Sequence, residues 1–315
     1  MKTTANNPWR DLWKAGFRES CGPDNPATAQ QIAESWEWWF RDCPDGSRIL
    51  DIATGNGIVL VHAAASARKE QRSFELTGID LADIDPPKQI VDFDDAVRNA
   101  RFVGEVAAES LPFDAASFDV VTSQFGLEYA RLDQALAEVT RVSTASGSLI
   151  WLAHSPASTV VEQYKAQDTE VDYLLASRGP VYFMKKLVER QRRHKDIKYS
   201  LDNLYAVFAE AEQYCRNNPP ARIVREVCTE FSKAVNQLRR INVNDVERMI
   251  KFAEQRLFAH KNRIKSLSAA AMSPERLEQV ERRLSELGWQ NLNIDEMRVD
   301  SDTKPIGIRI SATRA

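Results

Sequence analysis

Short apolar blocks recur through the middle of this chain: RILDIA (48–53), ELTGID (75–80), RFVGEV (101–106), FDVVTS (118–123) and SLIWLA (148–153). Helix-like stretches separate them. Strand-like runs that alternate with helical ones predict a parallel sheet covered by helices. From residue 156 to about 271 the pattern changes. No convincing strand occurs there, and several helices are predicted, broken near Gly179-Pro180, near Ser200 and at Asn217-Asn218-Pro219-Pro220. The first pattern then returns. Ser273-Pro274 starts a helix with proline at its first position, Gly288 stops it, and the strand-like runs NLNIDEMRV and IGIRISAT follow. Residues 1–45 are helical in pattern and rich in aromatic side chains.

These patterns divide the chain into an N-terminal helical lid segment (1–45), an α/β core (46–155), a helical insertion (156–271), and a closing helix with two strands (272–315). Long helical stretches at 221–240 and 243–267 give the insertion a second possible role, as the surface of a homodimer.

Composition adds little. The chain has 315 residues, 43% hydrophobic and 28% charged, with a formal net charge of −3. Cys21, Cys43, Cys215 and Cys228 form no C-x-x-C pair, so no disulfide framework or zinc site is expected and a reducing cytoplasm fits. The N-terminus lacks the apolar stretch of a signal peptide, and no run is long enough to span a membrane. No acidic cluster has metal-ligand spacing, so no metal is expected. Charge is unevenly spread. The insertion holds 21 Lys and Arg against 14 Asp and Glu, much of the excess in KKLVERQRRHKDIK (185–198). A solvated helix face explains this; an anionic substrate or nucleic acid is the sharper reading.

The chemistry begins at RILDIATGNG (48–57). A strand ending on an acid, a Gly-x-Gly turn and then a helix make a nucleotide-binding turn, because glycine admits positive φ and close approach of a ligand. A dinucleotide site wants a third glycine, and Gly57 is followed instead by Ile58-Val59-Leu60. An acid before the glycines would repel a pyrophosphate. It suits a ligand with a cationic end, such as S-adenosylmethionine with its ammonium and sulfonium. Asp80 ends the next strand, where an acid can accept both ribose hydroxyls.

With AESLPFDAASFDVVTSQFGLEYA (108–130) and ALAEVTRVSTASGSLIWL (135–152) added, the series resembles the class I S-adenosylmethionine-dependent methyltransferases, nearest the ubiquinone and menaquinone C-methyltransferases. The resemblance covers roughly 46–155 and 272–315. It implies a Rossmann-like seven-stranded sheet, with the helical insertion after the fifth strand and a reversed final hairpin. The family's acid and glycine pattern matches Asp51, Ala53, Gly55 and Gly57, with alanine where the first glycine is usual. Its ribose acid falls on Asp80, its G-D-A-E-x-L-P-F stretch on Val106 to Phe113, and its helix and turn on Ala135 to Ser148. The implied cofactor-binding set is Asp51, Ala53, Thr54, Gly55, Asn56, Gly57, Asp80, Leu81, Ala107, Ala108, Glu109, Ser123 and Gln124. Ala107 stands where the family has an aspartate for the adenine amino group; Glu105 or Glu109 is a substitute. STASGS (143–148) replaces a Lys-Pro-Gly-Gly turn, with Gly147 expected in a left-handed conformation.

An acceptor would lie beyond the ends of the fourth and fifth strands. Methyl transfer needs alignment and desolvation, and a base only when the nucleophile carries a proton. His154 is the first candidate, then Glu128 and Tyr129, each set against a positioning or structural role. His194 and His260 fall in charged helical stretches and are expected to be exposed. Trp36, Trp38, Trp39 and Phe40 suit either an aromatic cage or the packed face of a helix. The expectation is a cytoplasmic methyltransferase acting on an enclosed small molecule at O, N, S or C. Two rivals stand beside it: a methyltransferase on RNA or protein, and a non-catalytic S-adenosylmethionine-binding or dimerising protein. Nucleic acid is disfavoured because basic residues and exposed aromatics do not interleave.

Overall fold

The computed structural model describes residues 9–14, 16, 26–90, 95–238, 242–298 and 304–314. These fall into two compact units, one of residues 1–162 with 266–315, the other of residues 163–265. The expectation for residues 1–45 lies partly outside the described residues. Within them are a short helix α1 (Arg10–Lys14) and a longer α2 (Pro26–Phe40).

In the first unit follow β1 (Arg48–Ile52), α3 (Ile58–Lys69), β2 (Glu75–Ile79), α4 (Pro86–Gln89), β3 (Arg101–Val103), β4 (Phe118–Gln124), α5 (Leu132–Val142) and β5 (Ser143–Ala153). After the insertion come α11 (Pro274–Glu286), β6 (Trp289–Met297) and β7 (Gly307–Arg314). The sheet has seven strands in the order β3-β2-β1-β4-β5-β7-β6. β1 to β5 pair in parallel, and β7 runs antiparallel between β5 and β6. The strand order reverses between β1 and β4. Ligands of open α/β sheets sit beyond the carboxyl ends of the strands at such a switch point.

The apolar runs become strands because both faces are covered. Ile49, Leu50, Ile52, Val121, Leu149, Trp151 and Leu152 have essentially no exposure. One layer of the core joins Leu136, Val139 and Val142 of α5 and Val280 and Leu284 of α11 to these strands. Apolar positions in α5 recur with helical spacing and point at the sheet. α11 begins as expected: the Ser273 hydroxyl accepts from the Arg276 amide, and Pro274 is the first helical residue. Gly288 follows the helix at φ 83°.

One expectation is corrected. Gly147 is not left-handed, and STASGS is not a turn. Val142 passes straight into extended Ser143, and the segment forms an irregularity within β5. Ser143 pairs with Phe118 and Ser148 with Val120, so five steps of one strand face two of the other. The extra residues bulge out of the ladder and reverse nothing, which removes the need for a positive φ.

The second unit comprises α7 (Pro180–Arg192), α8 (Lys198–Asn217) and α9 (Arg222–Asn236), with the adjoining parts of α6 (Thr159–Leu175) and α10 (Val243–Ala270). No strand occurs among its described residues. Its core gathers Leu174, Met184, Leu187, Leu204, Phe231 and Ile250. The buried carboxylate of Glu170 accepts the Val224 amide at 3.0 Å, satisfying a donor in the first turn of α9.

Candidate active site

At the end of β1 the backbone turns through Ala53 (φ 57°), Gly55 (φ 53°) and Gly57 (φ 84°) into α3. The two glycines take this conformation at little cost, whereas a side chain in the left-handed region is strained by about 1 kcal/mol. Ala53 carries that strain, which is the physical reason a glycine is usual there. Glu105 (φ 60°), just past β3, and Phe125 (φ 52°), just past β4, are left-handed too. Three strained residues thus follow three strands, β3, β1 and β4, on one edge of the sheet.

Two acids occupy the same edge. Asp51 is buried, and its Oδ1 accepts the Thr122 hydroxyl at 2.9 Å. Burial pushes its carboxyl up to about 7; bonds from Thr54 and Thr122 oppose the rise, and the charge of Asp80 adds to it. Asp80 is 6% exposed. Its Oδ2 accepts the Gly55 amide at 2.9 Å and its Oδ1 the Ala82 amide at 2.7 Å. Burial raises it to about 6 against these two bonds. A left-handed glycine turn flanked by two carboxylates is a donor set suited to a ligand with a cationic end and a vicinal diol.

The remaining expected cofactor residues differ in their surroundings. Thr54 and Asn56 are buried, and the Asn56 side-chain amide donates to the Trp13 carbonyl at 3.2 Å. Leu81 is 42% exposed. Ala107 and Ala108 are half-buried in the turn after β3, where the Ser110 amide donates to the Ala107 carbonyl. Glu109 accepts the Arg131 backbone amide at 3.0 Å and its guanidinium at 3.3 Å, so it braces the start of α5. Ser123 also braces: its hydroxyl donates to the Ile52 carbonyl and accepts the Leu127 amide. Gln124 is tied by its Oε1 to the Trp36 indole at 2.5 Å.

The three candidate catalytic residues converge. Glu128 and Tyr129 lie in a single 3-10 turn (Leu127–Tyr129) after β4, and His154 follows β5. His154 Nδ1 lies 2.6 Å from Glu128 Oε1, which also accepts the His154 amide at 2.9 Å. Glu128 Oε2 accepts the Trp151 indole N–H at 3.1 Å. Both side chains are fully buried. A carboxylate at Nδ1 places the ring proton there and makes Nε2 the basic atom. The rings of Phe125 (4.4 Å) and Tyr129 (5.9 Å) pack against the imidazole.

Residues distant in sequence complete the arrangement. The Arg276 guanidinium donates to the Glu128 carbonyl at 2.8 Å, and the Met272 amide to the His154 carbonyl at 2.8 Å. Trp36 and Phe40 are stacked and buried, while Trp38 is half exposed. Trp36 and Phe40 thus form the packed face of α2, and Trp38 lies outside it. His194 is exposed as expected; His260 is instead half-buried, stacked on Tyr164, with burial lowering it to about 4. Among the described residues, no group of His, Cys, Asp and Glu could hold a metal ion, and no helix is long and apolar enough to cross a membrane.

Comparison with known proteins bears on the same part of the chain. Residues 50–151 match the family described as methyltransferase domain. A ubiquinone/menaquinone biosynthesis C-methyltransferase of Rickettsia massiliae is 33% identical over 125 residues, which is 37% of this chain and 48% of the relative. The same enzyme of Idiomarina loihiensis is 33% identical over 142 residues, 42% of this chain and 54% of the relative. The chain thus spans about half the length of the curated relatives it matches. A solved structure from Thermotoga maritima, described as a possible histamine N-methyltransferase, covers 91% of this chain and 90% of its own at 12% identity, with a TM-score of 0.40. Sheet order, the motif series and the matched residues agree on a methyltransferase domain within the α/β unit, similar over part of its length to the ubiquinone/menaquinone C-methyltransferases.

Proposed function

We propose that this chain transfers a methyl group to an enclosed small-molecule acceptor in the cytoplasm. The observation that carries the reading is the pair of buried carboxylates, Asp51 and Asp80, set around a left-handed glycine turn at the switch point of the sheet. When bound, S-adenosylmethionine supplies an electrophilic methyl on a sulfonium. Asp51 offers negative charge to the cationic end, and Asp80 offers acceptors to the ribose. Leu81 and the turn of Ala107 and Ala108 border the adenine. Gln124, fixed by Trp36, lines the region near the sulfonium.

His154 takes the acceptor's proton through Nε2, and Glu128 holds the ring in that tautomer and stabilises the charge that develops. Tyr129 and Phe125 orient the acceptor. The relatives are C-methyltransferases, which makes carbon the acceptor atom to test first.

An RNA acceptor draws support from the positive excess of the insertion. Its basic stretch is largely neutralised, however. Lys185 pairs with Glu254, Lys186 and Arg193 with Glu189, and Arg192 with Glu247. The test is calorimetric titration with S-adenosylmethionine and S-adenosylhomocysteine, followed by an acceptor screen with labelled methyl donor. Micromolar binding that falls at least tenfold in Asp80→Asn is expected. Absence of binding by folded wild-type protein would overturn the reading.

A further inference from the structure

The turn that reads as the cofactor cradle is covered by a side chain of the same protein. The indole of Trp13 rests on the bare face of Gly55: a Cβ added to that glycine would lie 2.6 Å from Trp13 Cζ2 and 2.7 Å from Cη2. The ring also packs on Ala82 and Ile84, in the loop after β2, and Phe102 packs against the same cluster. One indole therefore bridges the β1 turn and the β2 loop, and Asp80 lies between those two segments, bonded to Gly55 on one side and Ala82 on the other. Trp13 is 7% exposed and Asp80 6%. A ligand cannot reach the open face of Gly55 while the ring is on it.

The ring is held by this packing and by the Asn56 amide on the Trp13 carbonyl at 3.2 Å, while the helix that carries it is weakly tethered. α1 is a single short helix of five residues, well below the length at which a helix is stable by itself. Its charged tethers are Lys14 and Arg10, both to Asp83, at 2.9 Å and 3.7 Å, with all three side chains a third or more exposed. Ion pairs of that exposure contribute little and are weakened by salt. Trp9, just before α1, meets the ring of Tyr129 edge-on at 5.7 Å, so the same segment reaches the turn that carries Glu128.

We infer that α1 is a displaceable gate, with Trp13 an internal competitor for the cofactor face of Gly55. The inference rests on the cofactor reading above. Ligand binding then requires the indole to leave, and apparent affinity is reduced by the fraction of molecules in which it is seated. A gate seated nine-tenths of the time weakens binding about tenfold.

The experiment compares wild type, Trp13→Ala and Asp83→Asn as full-length proteins. S-adenosylhomocysteine is the probe, read by calorimetry and by stopped-flow association. Trp13→Ala is expected to bind about tenfold tighter, with most of the gain in the association rate. Asp83→Asn removes only the surface tether and leaves the cluster around Trp13 in place; a gain of about two- to threefold is expected. Wild-type affinity should also rise modestly with salt. Equal or weaker binding in both variants would overturn the gate and make Trp13 a fixed wall of the site. Absence of binding in all three proteins would instead overturn the cofactor reading, and the gate with it.

Discussion

Replacing Asp51 with asparagine should stabilise the folded chain at pH 8 while weakening its hold on the cofactor. Asparagine keeps an acceptor for the Thr122 hydroxyl and removes the charge. Burial raises the Asp51 carboxyl from 3.8 to about 7. At about 1.4 kcal/mol per unit, ionising this group inside the fold costs about 4 kcal/mol more than ionising it in the unfolded chain. Between these two values the native state binds the extra proton, so stability falls as pH rises from about 4 through 7. Between pH 5 and pH 8 the loss from this one group is about 2 to 3 kcal/mol. Asp80, raised to about 6, adds a slope of the same sign in wild type and variant alike. Urea denaturation at both pH values, followed by tryptophan fluorescence, isolates the Asp51 contribution as the change in the difference between the two proteins. That difference should grow by about 2 kcal/mol towards pH 8. A stability difference independent of pH would refute the reasoning, because it would mean that Asp51 ionises in the fold as easily as outside it. In parallel, affinity for S-adenosylmethionine should drop at least tenfold in the variant.

Glu128→Gln should lower the single-turnover rate of methyl transfer by about a hundredfold or more while leaving S-adenosylhomocysteine affinity unchanged. An unchanged rate and pH profile would reduce Glu128 and His154 to structure. Ala53→Gly relieves a side chain at φ 57° and should raise stability by up to about 1 kcal/mol, measured by urea midpoint. Gly126→Ala should do the opposite by about 1 to 3 kcal/mol, because its new Cβ would press on Ala53 Cβ across the paired turns after β1 and β4. Combining the two substitutions should recover much of that loss, since the opposing Cβ is then gone.

The sheet was legible because its strands are continuous apolar blocks separated by helical spacing, and those signals are local. The glycine turn and its two acids were placed for the same reason: Asp51, Gly55, Gly57 and Asp80 each sit at or just past a strand end that the apolar pattern marks. Glu128 and His154 were both candidates, but their 2.6 Å pairing depends on β4 and β5 being neighbours. Contacts between distant positions left no trace in the pattern. Trp36 reaches Gln124 across 88 positions and Arg276 reaches Glu128 across 148. Trp13 belonged to an aromatic N-terminal block whose period does not say which surface it covers. Gly147 was misread because glycine after a helix is a common stop, and only the pairing of Ser143 with Phe118 shows that the strand has already begun.

The costs in this fold are unevenly placed, and their distribution argues for a ligand. At the start of the central strands Arg48 and Asp119 meet at 2.9 Å, each more than a third exposed, and the pairing holds the Asp119 carboxyl below its usual range. That is a charge solution that water supports. At the opposite edge of the sheet, Asp51 is buried with its ionisation disfavoured, and Ala53, Glu105 and Phe125 are held in left-handed conformations. Asparagine at 51 and glycine at the three turns would fold with less strain. Strained residues and buried charges cluster at sites where they perform a task. A cationic ligand would lower the cost of ionising Asp51, and tight turns leave backbone accessible at the sheet edge. A measured stability gain in Asp51→Asn coupled to a loss of cofactor affinity would show both sides of that exchange in one variant.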